Sequence, residues 1–228
     1  MSASVLSLNV GAPQPNSAKK VGTTGIGKAP VESVEVRAPG PKHGGLGSGL
    51  VGDFLGDTRH HGGDTQAVYA FAREELDWWA GELGRDLPSG MFGENLTTTG
   101  LDVDGALVGE VWAVGDEVVL EVCGPRIPCS TFTARMGERG WAKRFAARGR
   151  TGAYLSVVVP GTIRSGDAVV VRSRPDHDIT VPVTFRAFMG DLDAARQVLD
   201  SGCLVETEAA ELRDMVERRS PAGVEFDA

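Results

Sequence analysis

Short runs of β-branched and apolar residues, separated by glycine-rich turns, recur along most of this chain. Glycine provides 31 of the 228 residues, whereas only 14 residues are aromatic. That is about twice the usual glycine share of ~7%, and glycine supplies the backbone freedom that tight turns need. Repeated short strands joined by such turns are typical of a barrel. We therefore expect a mainly β fold with helices, built around a β-barrel core.

The strand-like runs are predicted at residues 5–10, 31–36, 107–114, 117–122, 153–159 and 168–172. Two of them are introduced by the same pair, Gly115-Asp116 and Gly166-Asp167, which is a turn signal before a strand. The segments between the runs include two turn-rich loops, residues 38–49 and 88–100.

Helical spacing of apolar residues appears in three places. The clearest predicts a helix over Asp64–Leu83, with Asp64 as its N-cap and Gly84 as its stop. A basic helical stretch follows at Thr131–Arg148, and residues 185–219 form a small helical region rich in Ala, Leu, Glu and Arg. We predict a barrel domain over residues 1–175 and a small α-helical C-terminal segment over residues 176–228.

Several classes of protein are excluded by simple features of the sequence. No apolar run approaches the roughly 20 residues of a membrane span, and the start of the chain does not resemble a signal peptide. The three cysteines are odd in number and lack C-x-x-C spacing, so they form neither a disulfide framework nor a zinc knuckle. We expect a cytoplasmic protein with reduced thiols.

Charge is distributed unevenly along the chain. The net charge of −8 argues against a general nucleic-acid binder. Residues 126–174 nevertheless contain ten basic and only two acidic side chains, a net charge of +8. Many of these are arginines, which suit bidentate binding of phosphate or carboxylate. The segment either faces an anionic ligand or is the solvated surface of a helix.

Cys129 stands out among the thiols. It ends the segment PRIPC, Pro125–Cys129, directly after a predicted strand and before a predicted helix. A helix N-terminus with Arg126 nearby lowers a thiol pKa, and the thiolate binds a soft metal or acts as a nucleophile. The alternative is a small buried hydrophobic residue, the role we expect for Cys123, whereas Cys203 is expected to be structural or exposed.

Two further loops carry polar groups. His60-His61-Gly62-Gly63-Asp64 could hold an anion on backbone N–H groups at the start of a helix, with a histidine as a donor or proton relay. A plain turn with solvated histidines explains this segment equally well. In Phe92-Gly93-Glu94-Asn95-Leu96, the Glu and Asn could orient a ligand or cap the turn. His60, His61, Cys123 and Cys129 make a poor zinc set.

Together these segments resemble the MOSC family, proteins similar to the C-terminal domain of molybdenum-cofactor sulfurase. The resemblance rests on HHGGDTQAVYAFA, SGMFGENLTTTGLDV, the Gly-Asp pair before a strand, PRIPC and RTGAYLSVVVPGTIRSGD, in that order. The match extends from about Ile26 to Val171, and the stand-alone bacterial YiiM-type branch, with a small three-helix C-terminal segment, is the most similar.

The resemblance implies a β-barrel that binds a molybdenum cofactor of the molybdopterin type. It implies that Cys129 is the molybdenum ligand or a persulfide carrier, and that His61 acts beside it. Relatives reduce N-hydroxylated compounds such as hydroxylamino-purines, with the redox chemistry at the metal. The cofactor-binding residues that it implies are Lys28, Arg59, His61, Gly62, Gly63, Asn95 and Arg126. Pyridoxal phosphate is not expected, because the separate domain with which it is associated is missing from this sequence.

Two positions depart from the family pattern. Gly47 stands where some relatives have an acidic residue, and Tyr69 stands where some have histidine. If those groups deliver protons in the relatives, His61, Tyr69 or Asp53 must do so here.

Three functions remain open at this point. The first is reduction of a small N-hydroxylated substrate, with electrons from a separate donor protein, because no Gly-x-Gly-x-x-Gly after a strand signals a bound nucleotide. The second is sulfur transfer through a Cys129 persulfide. The third is a non-enzymatic cofactor carrier. None of them involves nucleic acid or a membrane.

Overall fold

A large mixed sheet and six α-helices make up the fold in the computed structural model, which describes residues 2–18 and 22–219. The strands are β1 (Ser4–Gly11), β2 (Gln14–Pro15), β3 (Thr23–Thr24), β4 (Lys28–Val31), β5 (Ser33–Val36), β6 (Val68–Ala72), β7 (Leu96–Thr99), β8 (Val111–Val114), β9 (Val118–Pro125), β10 (Ala153–Val159), β11 (Gly161–Arg164) and β12 (Val169–Ser173). The helices are α1 (Arg73–Leu83), α2 (Ser130–Met136), α3 (Trp141–Arg148), α4 (Val181–Met189), α5 (Leu192–Ser201) and α6 (Glu206–Arg219).

Eight strands form one sheet in the order β12-β8-β9-β10-β6-β7-β1-β4. All neighbours are antiparallel except β6 and β7, which are parallel and are joined through α1. An isolated bridge between Ser4 and Ala168 connects the start of β1 with the segment before β12, at the other side of the sheet. The sheet therefore curls toward itself, while the closed barrel stays a prediction.

The predicted helix Asp64–Leu83 is wrong in its first half. Asp64–Gln66 is a single 3-10 turn, Val68–Ala72 is the strand β6, and the α-helix begins only at Arg73, with Ala72 as its N-cap. All five residues of β6 are buried, because the strand lies between β10 and β7. A strand that is buried on both faces shows no alternation, so its apolar residues also match helical spacing. The predicted stop at Gly84 is confirmed as a left-handed C-cap.

The basic helical stretch Thr131–Arg148 is two helices rather than one. Gly137 and Gly140 both have left-handed backbone angles, with φ of 66° and 69°, and they separate α2 from α3. Glycine adopts such angles at little cost, so it commonly ends helices. The turn between them lets Phe132, Met136, Trp141 and Phe145 all point into one core.

Aromatic rings fill the space between α1, α2, α3 and the sheet. Phe92 lies at the centre, with ring centroids 5.0 Å from Phe71, 5.2 Å from Phe132, 5.5 Å from Trp141 and 5.9 Å from Phe145. Edge-on and tilted contacts of this kind are favourable. A separate aliphatic core lies on the sheet, and a third cluster joins α4, α5 and α6 to Val108.

The predicted boundary at residues 175 and 176 stays a prediction, and residue 1 and residues 220–228 lie outside the described residues. The three helices of the C-terminal region follow Thr180, which forms an isolated bridge with Leu107. Within the part of the chain that the structure describes, no helix has the length and apolarity to cross a membrane.

Replacing Phe92 with Ala tests the aromatic cluster. We expect Phe92→Ala to lower the free energy of unfolding by about 3–5 kcal/mol, because the side chain is fully buried and leaves a cavity. Urea unfolding followed by tryptophan fluorescence measures the loss. Val158→Ala is the control, since Val158 is 52% exposed and its truncation costs about 0.5 kcal/mol or less. Equal stability of the two variants would contradict this packing.

Candidate functional site

One open cavity has Cys129 in its wall, and its empty space, counted out to the solvent at its mouth, is about 730 Å³. We call it the Cys129 cavity. The loop before β4, the long loop between β5 and β6, the turn before β7 and the turn after β9 all contribute to it. The side chains that line it include those of Lys28, Ser48, Asp53, His61, Gln66, Tyr69, Asn95, Arg126, Cys129 and Tyr154.

Cys129 is the N-cap of α2, and this confirms the prediction that it lies near the start of a helix. Its sulfur accepts a hydrogen bond from the Phe132 backbone N–H at 3.5 Å, and its backbone is extended. Burial by itself raises the pKa of the thiol. A hydrogen bond with His61, the charge of Arg126 and the Phe132 amide outweigh burial and lower that pKa to about 6. Cys129 is therefore mainly a thiolate at neutral pH.

The other two thiols differ from Cys129. Burial raises the pKa of Cys123 to about 12 and also raises the pKa of Cys203. Both are free and half-buried, and neither lines the Cys129 cavity. Only Cys129 among the three therefore has the environment of a reactive or metal-binding thiol.

Arg126 is a buried cation in the wall of the cavity, with 6% of its surface exposed. Its Nη1 donates to the carbonyl oxygen of Phe92 at 2.8 Å, and its guanidinium lies 4.9 Å from the centre of the Tyr69 ring and 4.4 Å from that of Phe132. These contacts hold a cation by ring faces and a carbonyl. Its Nε is buried and has no partner among the described residues.

Lys28 is buried rather than an exposed loop residue, and it forms an ion pair with Asp53. Burial lowers the pKa of Lys28, and the Asp53 carboxylate opposes that shift. Asp53 also accepts from the Gly11 N–H at 2.7 Å, the Ser48 hydroxyl at 2.7 Å and the Asn95 amide at 3.0 Å. All four acceptor positions of Asp53 are thus used by the protein itself.

Glu94 and Asn95 shape the turn before β7. Glu94 is fully buried and accepts from the N–H groups of Gly90 at 2.6 Å and Phe92 at 3.0 Å, and burial raises its pKa. Asn95 accepts from the Tyr69 N–H at 3.1 Å and donates to Asp53. The side chain of Glu94 therefore caps the turn, and that of Asn95 ties the turn to β6 and to the Lys28–Asp53 pair.

Two tyrosines separate the cavity from the protein interior. The Tyr69 hydroxyl donates to the Thr151 carbonyl at 2.7 Å, and burial raises the pKa of Tyr69 well above its usual value. The Tyr154 ring lies 5.2 Å from that of Tyr69, and burial raises its pKa as well. Tyr69 therefore keeps its proton, which is already committed to a backbone acceptor.

The structure brings most of the predicted site residues together. Lys28, His61, Gly62, Asn95, Arg126 and Cys129 all line the Cys129 cavity. Arg59 is exposed and Gly63 is buried, and neither is among the lining residues. Sequence reasoning missed Tyr154, Ser48 and Gln66. Tyr154 lies within RTGAYLSVVVP, one of the matched motifs, and that position was its only signal.

The glycine pattern of dinucleotide-binding sites occurs in this chain, but not directly after a strand. The spacing Gly-x-Gly-x-x-Gly does occur once, as GSGLVG at residues 47–52. That segment consists of bends and a turn with an isolated Val36–Leu50 bridge, and no helix starts there. A dinucleotide site uses this pattern to open a helix whose N-terminus holds the pyrophosphate, so the match has no such meaning here.

Across residues 2–18 and 22–219, no three His, Cys, Asp or Glu side chains form a group that could hold a metal ion. The described side chains therefore do not form a complete metal site by themselves, and a metal at Cys129 would need further ligands from a bound group.

Comparison with known proteins gives a consistent relationship. A family model described as the MOSC domain matches residues 57–170. The uncharacterized protein YflK of Bacillus subtilis is 31% identical over 223 residues, which cover 96% of each chain. YiiM of Escherichia coli is 31% identical over 136 residues, 58% of this chain and 60% of YiiM. A protein named reductase from Gibberella moniliformis is 31% identical over 131 residues, but the match covers only 23% of that protein.

The fold is also found in solved structures. The crystal structure of YiiM from Geobacillus stearothermophilus superimposes with a TM-score of 0.72 and 24% identity, covering 94% of this chain and 99% of that one. YiiM from Escherichia coli gives a TM-score of 0.67, with 84% of this chain covered and 89% of YiiM. This likeness extends through the C-terminal helices and shows that the overall fold is shared.

The hydrogen bond from His61 gives a test of the thiolate. Alkylation of Cys129 by iodoacetamide should rise with pH through a midpoint near 6, because a lowered pKa means that the thiolate forms as pH increases through that value. In His61→Gln the midpoint should move upward on the order of one pH unit. Peptide mass spectrometry measures the rate at Cys129.

The neighbouring histidine provides the control. His60 is exposed and contacts Asp57, so His60→Gln should leave the midpoint unchanged. A midpoint near the usual value of ~8.5 in the wild type, or equal shifts in both variants, would contradict the described environment of Cys129.

The Lys28–Asp53 pair gives a test of stability. Asp53→Asn should lower the free energy of unfolding by about 3–5 kcal/mol, because Lys28 would be left buried without its counter-charge. The double variant Lys28→Met/Asp53→Asn should lose less than the single one. Urea unfolding measures both, with the exposed Asp178→Asn as the control. A double variant that is less stable than the single one would contradict the pairing.

Proposed function

The chain belongs to the MOSC domain family, and on that premise we propose that it binds a molybdenum cofactor of the molybdopterin type in the Cys129 cavity and reduces N-hydroxylated compounds there. One observation carries the proposal: a thiol whose pKa is lowered to about 6 lines a large open cavity next to the buried cation Arg126. A thiolate is a good ligand for a soft metal.

The residues present fit such a group. The Nε of Arg126 is buried without an acceptor, and an oxygen of an anionic ligand would satisfy it. We propose that Cys129 binds the metal, that Arg126, His61 and Gly62 contact the cofactor, and that Lys28 and Asn95 form the wall behind it.

Arg59 and Gly63 complete the cofactor-binding set that the family resemblance implies. Arg59 is exposed and Gly63 lies outside the cavity lining, so we assign neither of them a contact with the cofactor. They remain predictions from the resemblance alone.

Reduction of an N-hydroxylated amine breaks an N–O bond, consumes two electrons and two protons, and releases water and the amine. Bound molybdenum supplies the two-electron chemistry, which the side chains of the chain do not provide. Cys129 holds the metal in place, and Arg126 balances the negative charge of the thiolate. A separate electron-donor protein supplies the electrons.

His61 is the best-placed proton donor of the three candidates. Its side chain lies close enough to Cys129 to lower the pKa of that thiol and lines the cavity, and an imidazole can donate or accept a proton. The Tyr69 proton is bound to the Thr151 carbonyl. Asp53 accepts four hydrogen bonds from Lys28, Gly11, Ser48 and Asn95, so it has no vacant position for a proton.

The same thiolate supports a second candidate, sulfur transfer through a Cys129 persulfide, since a low pKa also makes a good sulfur nucleophile. A cofactor carrier without turnover would need the cavity but not the proton donor. We also propose that the curled sheet is the barrel of the family, that residues 1–175 and 176–228 are its two parts, and that the protein works in the cytoplasm, where its unpaired thiols stay reduced.

Metal and pterin content per chain tests the function. The protein and its Cys129→Ala variant are purified without air from a host that makes the cofactor. We expect near-stoichiometric molybdenum and pterin in the wild type and a loss of most molybdenum, at least tenfold, in the variant. Cys123→Ala is the matched control, because Cys123 lies outside the cavity and its loss should leave the metal content unchanged.

Loaded protein is then assayed with a hydroxylamino-purine and reduced methyl viologen. Turnover that disappears in Cys129→Ala supports the reductase. Absence of both molybdenum and pterin despite proven supply overturns the proposal, and a Cys129 persulfide found by mass spectrometry in metal-free protein favours sulfur transfer instead. Bound cofactor without turnover favours the carrier.

A further inference from the structure

Four cations on α2, α3 and the turn between them have no carboxylate partner among the described residues. We call these four residues, Arg135, Arg139, Lys143 and Arg144, the basic patch. Several other arginines are paired: Arg148 and Arg150 with Glu75, Arg174 with Glu110, and Arg85 with Glu138. Glu138 is the only acid from residue 126 to 166, so the patch is strongly positive in a chain of net charge −8.

An exposed tryptophan adjoins the basic patch. Trp78 is 39% exposed, and the Arg148 guanidinium lies 3.9 Å from the centre of its ring. Arg144, one helical turn before Arg148, lies 5.9 Å from the ring centre of Trp79, which contacts Trp78 edge-on. Tryptophan and arginine are enriched at protein interfaces and often contribute most of the binding energy. Charge and an aromatic anchor therefore occur on one surface.

The basic patch is held at a short distance from Cys129. Cys129 caps α2, and Arg135 is in the last turn of the same helix, which places it about 9 Å along the helix axis at ~1.5 Å per residue. Phe132 and Met136 on α2 and Trp141 and Phe145 on α3 are buried in the aromatic cluster. A partner bound at the Arg135 end of this surface would therefore lie about one short helix away from Cys129.

We infer that the basic patch is the docking surface for an acidic electron-donor protein. This inference rests on the proposed function, because that reduction takes up two electrons from outside the chain. Two reduced donor molecules would each give one electron while two protons enter, and the N–O bond would be replaced by an N–H bond and water. Opposite charge on the two surfaces steers the donor to the patch and speeds association, and this effect weakens with salt.

Binding is measured first on the cofactor-free chain, so that the result does not depend on turnover. The probe is a flavodoxin, a small acidic protein that donates single electrons, titrated in its oxidised form by calorimetry at about 20 mM and about 200 mM salt. We expect binding at low salt that weakens at least tenfold at high salt. Arg139→Glu/Lys143→Glu should weaken it at least tenfold at low salt, because both residues are exposed cations of the patch.

Arg164→Glu/Arg172→Glu is the matched control. Both arginines are exposed on β11 and β12, and this double variant changes the net charge by the same amount as the patch variant. Its affinity for flavodoxin should fall clearly less than that of the patch variant, since these two charges would act on the donor only over a distance and not by contact. Equal losses in both double variants, or no binding at low salt, overturn the inference.

A second arm separates this inference from the proposed function. With loaded protein, reduced methyl viologen should support equal turnover in the wild type and in Arg139→Glu/Lys143→Glu, whereas reduced flavodoxin should be at least tenfold slower with the variant. No turnover with methyl viologen in the wild type overturns the proposed function. If reduced flavodoxin supports equal turnover in the wild type and in Arg139→Glu/Lys143→Glu, only the inference is overturned. Binding of the patch to anionic lipid vesicles or DNA in place of flavodoxin likewise overturns only the inference.

Discussion

The buried carboxylate of Asp53 is the contact on which the arrangement of the site depends. It accepts from Gly11 at the end of β1, Lys28 at the start of β4, Ser48 in the long loop and Asn95 before β7. The loop from residue 37 to 63 contains no helix and no strand of the sheet, and backbone hydrogen bonds such as those from Val51 to Glu35 and from Phe54 to Gly11 also tie it to neighbouring strands. Asp53 fastens this loop to three strand ends, and the same loop carries His61 to Cys129. The thiolate therefore depends on a carboxylate that does not itself take part in its chemistry.

Arg126 is a buried cation whose surroundings differ from those of Lys28. Lys28 has a carboxylate beside it, whereas Arg126 has one carbonyl and two aromatic rings. A buried cation without a counter-charge is costly, and the nearby Cys129 thiolate supplies one. The charge of Arg126 thus contributes to the lowered pKa of Cys129, and the thiolate in turn offsets the cost of burying Arg126. A ligand that adds an acceptor for Nε would extend this pair rather than compete with it.

Features that depend on adjacent residues could be predicted from the sequence, whereas features that depend on contacts between distant residues could not. Gly84 ends α1 and Cys129 lies at the start of α2 as predicted, because both features depend only on adjacent residues. The residues of β6 match helical spacing, and only their pairing with β7 and with β10, more than 80 residues later, makes them a strand. Asp53 was considered only as a proton donor, since its contact with Asn95 spans 42 residues. The exposed position of Arg59 likewise depends on the course of a loop that periodicity does not describe.

Seven of the ten basic side chains in residues 126–174 fall into three groups with different roles in the structure. Arg148 and Arg150 are neutralised by Glu75 and its acidic neighbours, so they hold α3 against α1. Arg126 is buried in the wall of the Cys129 cavity, where a bound ligand can reach it. The basic patch is on the outside of α2 and α3, where a protein partner can contact it. One short helix therefore separates a charge suited to a bound cofactor from charges suited to a protein surface. Because Cys129 begins that helix and Arg135 ends it, a donor docked at one end needs no further domain to come within a short distance of the thiolate at the other.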